Sequence, residues 1–503
     1  SFSSHMTKDL QWPPVGDTIR RINDIVHTSI SVPRPLDSLI DTPEFQRLRN
    51  VKQLGAADMV FPSGNHSRFT HSLGTCYIAQ LVLEKLKRDE SLDITSEDVL
   101  CVTTAAMLHD IGHGPYSHMF DGAFLDALGK SGTWTHEAGS KEIIRRLFTR
   151  ERVVNAFKPF LGGDDEARFQ RNVDFIIECV SPPSPMMDNG TWIPRGRPIN
   201  KSFLYDIVSN VHDGFDVDKF DYVLRDSLLS GFGIRFSMES LLRVVNNIRV
   251  LPCPTSGIKR ICFAQKTADE LLSLADSRHV LHARVYQHKT VRLIEALIVK
   301  ALVAAEPYLQ FHNHKGETFT LSTIMNDIDV FCTVDDSVLQ MISHSTKPEL
   351  DKARSYLRAI QHRDLAKRII DIECSPSEQQ IIGKGIDVGK KRHEICNTVT
   401  ERLISCGKDF NVSKDDIFVL NRRIFPGLDG YKHPMSEVLV YDNKAANPVA
   451  KRLDAKWLDR RASRHTMVVS FALYLSSGIT ESQTELLKHE FELALKEYGI
   501  VAA

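Results

Sequence analysis

The run Ala105-Ala106-Met107-Leu108-His109-Asp110-Ile111-Gly112-His113-Gly114 decides how this chain is read. Four apolar residues lead into His109 and Asp110, and two glycines among the next four positions let the backbone turn away where the helix stops. Neutral imidazole and carboxylate are both ligands for a divalent metal, which makes this helix end an active-site position. Taken alone, the dipeptide is more often a buried ion pair. The neighbourhood reverses that reading, because His66, His71, His109, His113, His118 and His136 place six of the twenty histidines between residues 66 and 136.

Composition constrains function only weakly. A chain of 503 residues holds about two or three domains, or one large helical body with a smaller companion. The 63 basic and 64 acidic side chains nearly cancel, so bulk charge selects no partner and nucleic-acid binding is not indicated beyond a local patch. The nine cysteines are dispersed with no Cys-x-x-Cys pair, the usage of reduced intracellular thiols. No charged-then-apolar leader and no run of about 18 apolar residues occurs. No membrane partner is expected, and the nucleus or cytoplasm is the expected location. Ser4-His5-Met6 reads as an expression scar.

Helical periodicity dominates the first 300 residues. It predicts helices over 72–87 and 96–111, the second opened by Thr95-Ser96 with Glu97 and Asp98 in its first turn, and a further helix over 271–305. The proline- and glycine-rich stretch 181–198 is expected to be an irregular surface excursion. Beyond residue 306 short strands are predicted at 417–424, 437–441 and 466–475, with an amphipathic helix at 482–498. The basic stretches 383–392 and 445–464 read as solvated faces.

His71 with His109 and Asp110 supplies three metal ligands from two neighbouring helices, so a fourth must come from elsewhere. The best source is Asp216-Val217-Asp218-Lys219-Phe220-Asp221-Tyr222-Val223-Leu224-Arg225-Asp226, where Asp218, Tyr222, Arg225 and Asp226 share a helical face. An exposed helix laced by pairs such as Asp221 with Arg225, worth about 0.2–0.5 kcal/mol each, fits the same residues. The flanking Phe220, Val223 and Leu224 speak against full exposure, and a carboxylate among apolar neighbours needs a partner.

These segments belong to a longer ordered set. Asp41-Thr42-Pro43-Glu44-Phe45-Gln46-Arg47-Leu48-Arg49, Lys52-Gln53-Leu54-Gly55 and Arg68-Phe69-Thr70-His71-Ser72 precede the His-Asp run, which continues as Pro115-Tyr116-Ser117-His118-Met119-Phe120-Asp121-Gly122. Trp134-Thr135-His136-Glu137, the Asp216 segment and Tyr286-Gln287-His288-Lys289 follow it. In that order, over about residues 22–367, the chain resembles the HD superfamily of metal-dependent phosphohydrolases, and within it the deoxynucleoside triphosphate triphosphohydrolases that animals carry behind a sterile alpha motif. That motif is not found in this sequence, so the catalytic core is expected to begin near its start.

The resemblance implies a mainly α fold with an HD phosphohydrolase core over 20–305, an N-terminal extension over 1–19, and a C-terminal α+β lobe over 306–503 that serves oligomerisation. It implies metal ligation by His71, His109, Asp110 and Asp218, a donor set that suits iron, manganese or zinc, with magnesium at the nucleotide phosphates. It implies hydrolysis of a dNTP to deoxynucleoside and inorganic triphosphate, the metal polarising the α-phosphoryl group and activating a water. His113, His118, Asp121 and His136 match the catalytic positions. His118, oriented by Asp121, is expected to be the principal acid, with His113 and His136 on phosphate, since imidazole titrates at about 6.5. Alternatively, His113 only caps a helix. Arg68, Lys219 and Arg278 match the triphosphate contacts. Gln53 and Asp226 match the 3′-hydroxyl readers, Leu54 touches the base edge, and Tyr222 lines the same site. Tyr286 matches the ring that excludes a ribose 2′-hydroxyl.

Activators are implied too: GTP in a first site and a deoxynucleotide in a second, between subunits of a homotetramer built as a dimer of dimers. Asp41, Gln46 and Arg49 match the guanine readers, with Arg20 at the phosphates in place of a lysine. In the second site Asn23, Lys266, Arg363 and Lys367 agree, but Ser240 and Ala264 replace arginines and Glu270 replaces asparagine. Each lost charge-assisted hydrogen bond costs about 1.5–3 kcal/mol, so this site is expected to be weaker or to take another activator. Thr70 replaces a glutamate at a position that is not a ligand. Two other functions fit some of the same residues: another HD nucleotidase or phosphodiesterase, and a nucleotide-gated protein holding nucleic acid on 383–392.

Overall fold

The computed structural model describes residues 19–374, 388–424, 433–461 and 468–500. The fold is mainly α with smaller sheets, as expected. At its centre lies the helix Arg68–Lys87, which packs against Ser96–Leu108 on one side and Val217–Ser230 on another. Its apolar residues are spread around the cylinder, Phe69, Leu73, Ile78, Val82 and Leu86 all being buried, which is the pattern of a helix enclosed by neighbours. Ser96–Leu108 starts at a capping box, in which Thr95 accepts from Asp98 N–H and Asp98 accepts from Thr95 N–H, and it ends at His109. Val217–Ser230 starts on the Asp216 cap and stops at Gly231 in the left-handed conformation.

A two-stranded hairpin, Ile19–Asp24 with Thr28–Pro33, lies over the central helix in the register Ile22 opposite Ile30. A four-stranded sheet runs in the order Lys451–Arg452, Leu439–Tyr441, Lys259–Ala264, Ile248–Pro252. Leu439–Tyr441 lies parallel to Lys259–Ala264, so a late strand joins a sheet begun at Ile248. A three-stranded antiparallel sheet has Val468–Leu475 between Ile417–Ile424 and Lys367–Cys374. Helices Val388–Gly407 and Glu481–Lys496 cover it and close a separate core around Ile395, Leu403, Phe471 and Phe491. The main core continues through Leu350, Leu357 and Ile360, because helix Asp351–Gln361 packs on Lys289–Ala305. The main core also takes in Phe418, Met435, Val438, Val440 and Tyr474, so the C-terminal residues contribute to it as well as to the separate core.

Two segments differ from the sequence reading. The expected helix 271–305 is two helices, Ala268–Leu281 and Lys289–Ala305, joined by a π-helical turn at His282–Tyr286 and recapped by His288. No glycine or proline announces this break. Residues 181–198 are not wholly irregular: Met187–Asp188 pairs with Thr191–Trp192 through Asn189 and Gly190, both at positive φ, the Asn-Gly signature of a tight hairpin. No described helix is long and apolar enough to cross a membrane.

Candidate active site

Three helix ends meet beneath one cavity. Arg68 and His71 lie in the first turn of the central helix, His109 and Asp110 follow the end of Ser96–Leu108, and Asp218 sits in the first turn of Val217–Ser230. His71 Nε2 lies 3.1 Å from Asp218 Oδ1 and 3.5 Å from Asp110 Oδ2, while His109 Nε2 is 3.5 Å from an oxygen of each carboxylate. The opposite nitrogen of each ring is engaged. His109 Nδ1 meets Ala106 O at 2.8 Å, and His71 Nδ1 meets Asp221 Oδ2 at 2.8 Å. Such bonds fix the ring and leave Nε2 free to act as a ligand atom. His109 Nε2 is buried without a hydrogen-bond partner and faces two carboxylates, a donor set that fits a divalent cation. Burial disfavours a charge on His71, but hydrogen bonds to Asp218 and Asp221 outweigh it and raise the ring to about 10. Arg68 is hydrogen-bonded to Asp110 and donates to Ser117 Oγ at 2.7 Å, which places a cation at the edge of the cluster.

Beside it stands a trio of imidazoles. His113, His118 and His136 have ring centroids 4.0–5.0 Å apart. Here the sequence reading needs correction. Asp121 accepts from His136, at Nδ1 (2.7 Å) and at the backbone N–H (3.1 Å); it orients His136 rather than His118. The reason is local, since Asp121 lies in the first turn of the π-helical segment Phe120–Phe124 and faces the start of helix His136–Leu147. Neither ring nitrogen of the buried His113 has a partner. Desolvation, then Arg68 and His136, hold His113 well below the usual imidazole range. His118 opens onto the cavity, yet loss of bulk water there and the neighbouring His136 and Arg68 lower it to about 4.

The cavity has a volume of about 660 Å³, within the range of small-molecule sites, and reaches both clusters. Arg68, Lys219 and Arg278 line it together, as do Gln53, Leu54, Tyr222, Asp226 and Tyr286. Lys219 is anchored on Asp216 at 2.9 Å, and Arg278 donates to Tyr222 Oη at 2.7 Å. Tyr286 Oη donates to Asp226 Oδ2 at 2.6 Å, and His66 Nε2 meets the other oxygen at 2.7 Å. Gln53 Oε1 is buried without a partner. Arg225, grouped by helical spacing with the cavity face, turns away from it into a buried network with Asp221 and Asp24. That pair is therefore not the exposed lacing considered as an alternative.

Some residues at the site escaped the sequence reading. His66, which does not line the cavity but holds Asp226, stood in the histidine cluster without a role. Arg292, Asn421 and Arg423 come from outside the motif segments, and only the fold carries them to the cavity. Arg392 also lines it, whereas 383–392 was read as a solvated face; the first five residues of that stretch lie outside the described residues.

The residues matched to activators lie elsewhere. Arg20 Nη1 donates to Asp41 Oδ1 at 2.7 Å, Arg49 Nε donates to Gln46 Oε1 at 2.8 Å, and Arg49 stacks on the Phe69 ring at 3.7 Å. Asn23, Lys266, Arg363 and Lys367 are exposed on separate elements, and no hydrogen bond joins them to one another among the described residues. Glu270 is paired with Arg243 at 3.0 Å.

The HD domain model matches residues 68–186, the interval that carries His71, His109, Asp110 and the imidazole trio. Residues 68–186 thus carry an HD domain, and the chain is similar to the SAMHD1 proteins. It is 38% identical over 354 residues to deoxynucleoside triphosphate triphosphohydrolase SAMHD1 of Gallus gallus, covering 70% of this chain and 56% of that protein. Against the same-named protein of Homo sapiens it is 38% identical over 433 residues, covering 86% and 66% respectively. The SAMHD1 homologue of Dictyostelium discoideum is 32% identical over 355 residues. The chain thus spans roughly three fifths of the length of these HD-family relatives, from 56% to 66%.

Proposed function

We propose that this chain is a dNTP triphosphohydrolase, cleaving a deoxynucleoside triphosphate at the α-phosphorus to give deoxynucleoside and inorganic triphosphate. The observation that carries the reading is one cavity lined by Asp110 and Asp218 of the His2Asp2 cluster, three imidazoles, three cationic side chains and the Tyr286-Asp226 pair. The curated names of the relatives agree with it. When bound by His71, His109, Asp110 and Asp218, a divalent transition metal (iron, manganese or zinc) supplies Lewis acidity for phosphoryl transfer. Magnesium accompanies the substrate phosphates.

The chain's own side chains do the rest. Arg68, Lys219 and Arg278 hold the triphosphate, whose negative charge also selects the N–H groups of the His113 and His118 rings. His136 delivers the proton to the departing 5′-oxygen, because the adjacent Asp121 carboxylate fixes its ring through Nδ1 and leaves Nε2 for the reacting group. Gln53 and Asp226 bind the 3′-hydroxyl, Leu54 meets the base, and Tyr286 occupies the space a 2′-hydroxyl would need. Activation by GTP at Arg20, Asp41, Gln46 and Arg49, a deoxynucleotide at Asn23, Lys266, Arg363 and Lys367, and assembly into a homotetramer complete the reading.

Manganese-loaded protein incubated with each dNTP, with and without GTP, and the products separated chromatographically, tests this. Deoxynucleoside with intact triphosphate is expected. Orthophosphate or pyrophosphate as the first product would redirect the reading to another HD phosphohydrolase.

A further inference from the structure

Behind His71, on the side away from the cavity, lies a charged network that the reaction itself does not use. Asp221 Oδ2 meets His71 Nδ1 at 2.8 Å and accepts from Arg225 Nε at 2.8 Å. Its Oδ1 meets His27 Nε2 at 2.6 Å and accepts from Arg225 Nη2 at 3.0 Å. The carboxylate of Asp221 is thereby saturated, and its side chain is 0% exposed. The far edge of the same guanidinium donates to both oxygens of Asp24, at 2.8 and 3.2 Å. Asp24 Oδ1 also accepts the backbone N–H groups of Val26 and His27, both at 2.9 Å, and so holds the turn of the N-terminal hairpin. Two arms, the His27 ring and the Arg225 guanidinium, therefore run from the hairpin to one carboxylate that orients His71.

The space for this network is built into the central helix. A Cβ on Gly74 would stand 1.9 Å from Asp221 Oδ1 and 2.6 Å from Arg225 Nη2, so only glycine lets the ion pair lie against the helix one turn beyond His71. The hairpin itself has two strands, and such a unit is marginal alone; what it is tied to fixes its position. Its strand Ile19–Asp24 also carries Arg20 and Asn23.

We propose that Arg225 is a positioning residue that couples the strand Ile19–Asp24 to the orientation of His71, so that a guanine nucleotide gripped by Arg20 tightens the hold of the cavity on its metal. This rests on the reading that guanine nucleotide binds that strand. A fork with both edges engaged transmits displacement as a rigid plate, which a lysine ammonium at the same place cannot do. Linkage makes the effect reciprocal: the factor by which GTP raises metal affinity equals the factor by which metal raises GTP affinity.

The test is a binding cycle on the full chain: the affinity for Mn2+ measured with and without GTP, and for GTP with and without Mn2+, in the parent, Arg225→Lys and Asp24→Asn. In the parent a coupling of about 5- to 150-fold, equal in both directions, is expected. In Arg225→Lys it should fall below about twofold, while each ligand alone still binds. Asp24→Asn keeps an oxygen for the turn and removes the charge facing Arg225, so it repeats the test if the lysine variant does not fold. GTP failing to bind the parent would overturn the activator reading and this proposal with it. GTP binding without change in Mn2+ affinity would overturn the coupling alone. Full coupling retained in a folded Arg225→Lys protein would remove Arg225 as its carrier.

Discussion

Tyr286 donates its hydroxyl hydrogen to Asp226 at 2.6 Å, so the ring proposed to exclude ribose is pinned by the carboxylate proposed to bind the sugar 3′-hydroxyl. His66 holds the other oxygen of Asp226, and Asp226 and Tyr286 line the cavity together. Steric and hydrogen-bonding roles are separable here. Tyr286→Phe keeps the ring and loses the pin; it should lower kcat but preserve the preference for dGTP over GTP. Tyr286→Ala opens the space and should shrink that preference by about 10- to 100-fold, the scale on which a pocket rejects one small group. Steady-state rates on both nucleotides check this, and equal parental rates on dGTP and GTP would remove its basis.

The raised His71 ring predicts how metal uptake depends on pH. Its folded value of about 10 lies above the ordinary 6.5. In metal-free protein its contribution to stability is therefore fully present below about pH 6.5 and is lost as pH rises through 10. A metal must displace that proton. Calorimetry of Mn2+ binding at pH 7.5, in buffers of different ionisation enthalpy, should show release of about one proton per site, with affinity rising as pH increases. Binding without proton release would contradict it. Asp218→Ala should lower metal content and abolish hydrolysis while the protein remains folded.

The chemistry of this site was more legible in the sequence than its architecture. The proposed ligands His71, His109, Asp110 and Asp218 could be picked out because histidine and carboxylate at helix ends are costly to bury without a purpose, and the fold brings all four together. Partnership within the imidazole trio could not be read. Whether Asp121 serves His118 or His136 depends on a π-helical turn, which shifts the facing of every later side chain and has no composition signal. The second π-helical turn, at His282–Tyr286, split a periodic helix for the same reason, and both turns border the cavity. Arg292, Arg392 and Arg423 were invisible because nothing local distinguishes a cavity-lining arginine from a solvated one.

Gly112 and Gly122 make a matched pair of probes for the backbone around the His-Asp turn. A Cβ on Gly112 would lie 2.1 Å from Ser140 N and 2.2 Å from His136 O, both backbone atoms that hold the neighbouring helix in place. Gly122, in the π-helical segment, has nothing within 4 Å of the same position. Gly112→Ala should therefore destabilise by about 1–3 kcal/mol or more and disturb the His136 position, whereas Gly122→Ala should be near neutral. Thermal unfolding of both variants decides it. Equal Tm values would show that the helix accommodates the methyl group without strain.

Asp41 carries the last prediction. It is held by Arg20 at 2.7 Å and approached by Arg152 at 3.6 Å, and it is half exposed, so a guanine edge reaches it by displacing or joining those guanidinium groups. None of the three lines the catalytic cavity. If GTP binds there and favours the assembled form, mass action requires GTP to promote assembly. Sedimentation of metal-loaded protein should then show a GTP-dependent shift to tetramer that Asp41→Ala loses, with metal content unchanged. The pairing of Glu270 with Arg243 leaves an acidic group where the second nucleotide was expected, so added dATP should strengthen assembly little beyond GTP alone. An unchanged monomer, equally active with and without GTP, would refute activation by assembly while leaving the catalytic assignment to stand on the product analysis.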